Sequence, residues 1–180
     1  MVKASSKLID LIVKFEGLKL KPYLCSAGVQ TIGVGHVMKP GINYDNLTKK
    51  QALELLVQDL ELFERGVARQ LQSLGAKKVE EYPQNQIDAL ISFAFNVGLG
   101  NFSRSTLLKK IGDNDLSGAA KEFLKWNKAA GKVIEGLAKR RLVEAAIFIN
   151  KKQFILDFNF GIDQTNIKDA LKLYEGYTNE

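Results

Sequence analysis

Residues 87–97 read IDALISFAFNV, an almost continuously apolar run. A segment apolar on nearly every side belongs inside a fold rather than on its surface, so this run is expected to form a buried central helix. Pro83 and Asn85 restart the chain ahead of it, and Gly98 and Gly100 are expected to end it. Beyond, Ser103 or Ser105 is placed to cap a short helix reaching Ile111. Asp115 or Ser117 opens another running through Trp126, and Gly136 precedes a last strong helix, LAKRRLVEAAIFI. Four helices from Asn85 onward predict an all-helical lobe.

The first half of the chain is patterned differently. Ser5 or Ser6 can cap a helix whose Leu8, Leu11, Ile12 and Phe15 follow the i, i+3, i+4, i+7 spacing, with Gly17 as a stop and Glu16 in the last turn. From Tyr23 to His36, β-branched residues mix with glycines, and Gly28 supplies a turn, which predicts a small β-hairpin sheet. Thr48 and Gln51 make a capping box opening a helix over Lys49–Leu74, striped by Leu53, Leu56, Leu60 and Phe63. The fold class expected is therefore α+β and predominantly helical: a small lobe over about 12–48, a connecting helix over about 49–74, and a helical lobe over about 83–150 that takes in the first helix.

Composition excludes several chemistries. Cys25 is the only cysteine, so neither an intrachain disulfide nor a CxxC site exists, and His36 is the only histidine. No metal site and no cofactor is expected. No apolar run reaches the roughly 18 residues of a membrane span, so no stable membrane insertion is expected. Leu8–Phe15 is too polar, through Asp10 and Lys14, for the core of an export signal. The net charge is +6, and the last thirty residues carry four basic and five acidic side chains, which leaves residues 1–150 at +7. No nucleic-acid-binding signature accompanies this charge, so the polyanion expected as partner is a cell envelope.

The chemistry concentrates between Glu16 and His36. Glu16, Gly17, Cys25, Thr31 and the run Thr31-Ile32-Gly33-Val34-Gly35-His36 match, position for position, a pattern of Glu-Gly, an Asp or Cys, then Thr-Ile-Gly-x-Gly-His. In these residues the chain resembles the T4-type phage lysozymes, glycoside hydrolase family 24. The later segments 89–98, 105–108 and 136–141 resemble its lambdoid-phage branch, so the resemblance covers about residues 5–150. It implies hydrolysis of the β-1,4 bond between N-acetylmuramic acid and N-acetylglucosamine in peptidoglycan, with Glu16, Cys25 and Thr31 as catalytic residues. Cleaving an acetal requires a carboxyl group that keeps its proton, which burial and a helix C-terminus both promote; Glu16 has both opportunities. Cys25 and Thr31 flank Gly28 symmetrically, so a hairpin centred there sets them opposite one another, able to hold one water between them. The family's Asp is replaced by Cys25, which leaves the thiol as base, nucleophile or bystander, with Asp10 and Asp45 as alternative carboxylates.

Substrate contacts are expected from Gly33 and Gly35, whose missing side chains let a glycan approach the strand. Asn96 could bond an N-acetyl group or simply cap its helix, and Arg140 and Arg141 could be ordinary solvated charges or contacts to stem-peptide carboxylates. Gly33-Val34-Gly35 lacks the third glycine and following helix of a nucleotide loop. His36, Phe93, Phe95 and Trp126 read as structural, an exposed Trp126 being the alternative sugar platform. Residues 151–180 lie beyond the resemblance. There Phe154, Leu156, Phe158, Phe160 and Ile162 alternate as in a strand before Asn166 opens a short amphipathic helix, and the extension is expected to fold back on the helical lobe. A monomer is expected, held in the host cytoplasm until a holin-like membrane protein gives it access to the wall. The rival readings are a lytic transglycosylase and a non-catalytic peptidoglycan-binding relative.

Overall fold

A computed structural model describes residues 2–25, 28–75, 77–158 and 163–179. Helix α1 (Ser6–Glu16) is capped by the Ser5 hydroxyl, which accepts from the Leu8 N–H, and it ends where Gly17 turns to φ 78°. Strands β1 (Lys19–Leu24), β2 (Gln30–Gly33) and β3 (His36–Val37) form an antiparallel sheet in the order β1-β2-β3. Helix α2 (Lys49–Leu74) then opens on the Thr48–Gln51 capping box and closes at Gly75 in the left-handed region. Its buried face is Ala52, Leu56, Leu60, Glu64, Val67 and Leu71, so Leu53 and Phe63 sit at the edges of that stripe.

Helix α3 (Gln84–Val97) is the centre of the molecule, with every residue from Gln86 to Ala94 buried. Around it lie α4 (Leu99–Ser103), α5 (Thr106–Gly112), α6 (Leu116–Phe123) and α7 (Glu135–Ile149), and α7 itself is buried from Arg140 to Phe148. Helix α3 packs on α7, α2 and α1, making one apolar core that joins both halves of the chain. Phe93 anchors it, with Phe123 and Trp126 set edge-on to its ring at 5.2 and 5.4 Å. The half-buried Trp126 therefore belongs to the core margin.

Several local expectations are corrected. Gly98 ends α3, but Gly100 lies inside α4, and Gly136 lies in the first turn of α7 rather than before it. The second lobe also carries a ribbon, β4 (Lys128–Ala129) with β5 (Lys132–Val133). Its turn is made by Ala130 and Gly131, both at positive φ as tight hairpins require. In the tail, 153–157 is a short helix, α8 (Gln153–Asp157), not a strand: Phe154 and Ile155 are buried as neighbours, and Phe154 stacks on Phe158 at the helical i, i+4 spacing. Phe160 and Ile162 lie outside the described residues. Asp163, not Asn166, caps α9 (Gln164–Thr178), which lays Ile167, Ala170, Tyr174 and Tyr177 against α7, α8 and α1.

Candidate active site

Two features of local sequence bring Glu16 to the end of α1 and hold it there: the apolar face Leu8, Leu11 and Ile12 buries the helix, and Gly17 lets the chain leave it abruptly. Glu16 lines a cavity of about 480 Å³ whose walls include Gly35, His36, Val37, Asp59, Phe95 and Asn96. The burial expected of Glu16 is not found, since 31% of its side chain is exposed. Glu16 is instead held by an ion pair, in which Arg140 Nη1 donates to Glu16 Oε1 at 2.5 Å. A larger hollow of about 870 Å³ lies between α1, the start of α7 and α9, but Glu16 is not among its walls.

Arg140 is fixed on every side. Its Nε donates to Glu144 at 3.0 Å and its Nη2 to the Ser92 carbonyl at 3.1 Å, and the guanidinium lies over the Phe15 ring. Arg141 is fully buried over Phe93 and donates to Glu144 and to Asn96 Oδ1. Burial pushes its pKa below the ordinary arginine value, opposed by the negative charge of Glu144. Neither arginine is a solvated surface charge, and Arg140, 4% exposed, has no face left for a stem-peptide carboxylate. Both sit inside because α7 is enclosed over this stretch and Glu144, 0% exposed, supplies the opposite charge.

On the sheet side, β1 and β2 pair Tyr23 with Thr31 and Leu24 with Gln30, so the hairpin is centred one residue before Gly28. Cys25 therefore faces Val29, whose carbonyl accepts its N–H at 3.0 Å, and Thr31 faces Tyr23. Cys25 and Thr31 stand diagonally rather than opposite. Because the displacement is an even number of residues, the period of two keeps them on one face. Thr31 is 3% exposed, and its hydroxyl donates to the Val29 carbonyl at 2.9 Å, which leaves the oxygen lone pairs as acceptors. Cys25 is half-buried; neither it nor Thr31 is among the walls of the cavity that holds Glu16.

Gly33 and Gly35 separate in function. Gly35, exposed at φ 86°, lines the cavity. Gly33 is buried at φ 67° against α2, where an added Cβ would lie 3.6 Å from that of Ala52, so it serves helix–sheet packing rather than glycan approach. His36 is buried, with Nδ1 2.9 Å from Asp59 and Nε2 3.2 Å from the Tyr44 hydroxyl, tying β3 to α2. Among the described residues no three His, Cys, Asp or Glu side chains form a metal-ligating group. Asp59, Ser92 and Glu144 were not singled out from sequence. For the last two a signal existed: a polar residue inside an apolar helical run, and for Glu144 the i, i+4 distance from Arg140.

A helical body bearing a small sheet, with a glutamate clamped by arginine at the cleft between them, is the architecture of the lysozyme-like glycosidases. The chain belongs to the phage lysozyme family, whose profile matches residues 13–144. It is 42% identical over 148 residues to an endolysin of Acyrthosiphon pisum secondary endosymbiont phage 1, an alignment covering 80% of this chain and 96% of that one. Identity to the endolysin of Bacillus phage PZA is 44% over 142 residues, spanning 78% of this chain but only 52% of that longer protein. Among solved structures, a P22 lysozyme mutant superposes with a TM-score of 0.71 at 34% identity, covering 83% of this chain and 99% of the other.

Proposed function

We propose that this chain is an endolysin that hydrolyses the β-1,4 bond between N-acetylmuramic acid and N-acetylglucosamine in peptidoglycan. The observation that carries the reading is Glu16 on the cleft wall, its Oε1 held by Arg140. With Oε1 anchored, Oε2 is the oxygen that must carry the proton, and from there it passes to the glycosidic oxygen as the bond from that oxygen to the anomeric carbon breaks. A water adds to the anomeric carbon, and its surplus proton leaves to a Cys25 thiolate or to solvent. The family resemblance assigns Thr31, whose own proton is committed to Val29, to orient that water. Gly35 and Asn96 contribute glycan contacts along the same cavity.

Clearing of purified cell walls tests this with Glu16→Gln, Cys25→Ser and Cys25→Asp beside the unaltered protein. Glu16→Gln is expected to lower the rate by at least about 10²-fold. Cys25→Asp is expected to remain active, because a carboxylate accepts the same proton, and Cys25→Ser separates a working thiol from a bystander. Unchanged clearing by Glu16→Gln refutes the reading, as does a wild-type protein that binds walls without clearing them. New reducing ends rather than anhydro sugars identify hydrolysis over transglycosylation.

We also propose that the enzyme acts as a monomer and reaches the wall from the host cytoplasm once a holin-like protein has permeabilised the membrane. Supporting this, α1 is committed to the core through Leu8, Leu11 and Ile12. Among the described residues no helix is long and apolar enough to cross a membrane. Lysis of a Gram-negative host on expression without any permeabilising protein contradicts it.

A further inference from the structure

Glu144 lies at the junction of the two buried arginines that hold the cleft residues Glu16 and Asn96. Its Oε1 accepts from Arg140 Nε at 3.0 Å and from the Ser92 hydroxyl at 2.6 Å, and its Oε2 accepts from Arg141. Each arginine passes the constraint on, Arg140 to Glu16 and Arg141 to Asn96 Oδ1. An arginine only donates, so the Asn96 oxygen must face Arg141 and the amide nitrogen must face away from it. Asn96 is exposed and lines the cleft, and no partner for that nitrogen occurs among the described residues.

We propose that Glu144 is a positioning residue for both working groups of the cleft. Through Arg140 it sets Glu16. Through Arg141 it turns the Asn96 amide nitrogen into the cleft as a hydrogen-bond donor for a carbonyl oxygen of the bound glycan, the acyl oxygen of an N-acetylated sugar. The choice of glycan rests on the proposed peptidoglycan activity; the direction of the amide follows from the arginine alone. One fully buried carboxylate can serve two sites because each oxygen is given to a different arginine, and neither guanidinium can rotate without leaving a buried charge unpaired.

The probes are the N-acetylglucosamine trisaccharide and its de-N-acetylated counterpart, followed by nuclear magnetic resonance of the Asn96 side-chain amide. The amide pair is expected to shift with the acetylated probe and to stay in place with the other. Asn96→Asp keeps an acceptor for Arg141 but loses the donor, so affinity for the acetylated probe is expected to fall roughly threefold to tenfold, with the loss in wall clearing falling on KM more than on kcat. Glu144→Gln is expected to lower kcat and weaken the acetylated probe together, and adding Asn96→Asp to it is expected to change affinity little further. If Glu144→Gln does not fold, Arg141→Lys carries the test: it keeps the charge beside Glu144 but cannot span to Asn96, so binding weakens with kcat less affected. An unmoved Asn96 amide, additive effects in the double variant, or unchanged affinity in Arg141→Lys overturns the proposal. Should the unaltered protein clear no walls, the endolysin reading falls, while the amide experiment still reports on the donor.

Discussion

Replacing Tyr177 by phenylalanine probes how the last helix is fastened to the first. The Tyr177 hydroxyl donates to Asp88 Oδ2 at 2.8 Å, and Asp88, 1% exposed, also accepts from the Ser5 N–H at 3.1 Å, the Ser5 hydroxyl and Gln84 Nε2 at 2.9 Å. One carboxylate thus joins the cap of α1, the start of α3 and the end of α9. Tyr177→Phe removes one donor and leaves the ring packing and the other three donors in place. A hydrogen bond to a charged group contributes about 1.5–3 kcal/mol, and with no charge orphaned the lower figure of about 1.5 kcal/mol applies. For a chain of this size that lowers Tm by about 3–6 °C. The pH dependence sharpens the test. Burial, then the negative charge of Asp88, raises the Tyr177 pKa well above its ordinary 10.0. The unfolded chain therefore releases this proton above pH 10 while the folded chain keeps it, so stability is intact below pH 10 and is lost as the pH rises beyond it. Phenylalanine has no proton to lose, and the gap in Tm between the two proteins should narrow from about pH 9 to about pH 11. Thermal unfolding followed by circular dichroism reads both effects. A Tm within about 1 °C of the unaltered protein at neutral pH, or a gap that stays constant to high pH, refutes the reasoning.

Tyr82 offers the opposite case, because its buried hydroxyl has no hydrogen-bond partner among the described residues. Tyr82→Phe is expected to leave stability unchanged or raise it by up to about 1 kcal/mol, and a loss larger than that in a denaturant titration contradicts the assignment. Gly33→Ala is expected to cost about 1–2 kcal/mol through its left-handed backbone alone, since the nearest contact, Ala52 at 3.6 Å, is ordinary. A neutral outcome by thermal unfolding removes the conformational argument for that glycine.

Caps and stripes are legible in the sequence. Ser5, Thr48, Ser105 and Asp115 each accept the backbone N–H that opens a helix, and each was a candidate from residue type and spacing. The hairpin was legible in kind but not in register: symmetry about Gly28 pairs Cys25 with Thr31, whereas the backbone pairs Tyr23 with Thr31. Turn geometry, which residue identity only partly constrains, decides that offset. The tail misled because alternating apolar residues suit a strand in isolation, but Phe154 and Phe158 also suit one helical face once other helices are there to cover it.

From its own letters the chain determined where the capped helices α1, α2, α5 and α6 begin, which segment lies at the centre, and that Glu16 closes the first helix ahead of a small sheet. Those properties follow from caps and periodicities acting over a turn or two of backbone. Only the tertiary structure decided that Arg140 and Arg141 are interior groups and that Glu16 is clamped rather than buried. The clamp spans 124 residues of sequence, and a charge can leave water only where folding has already brought its counter-charge.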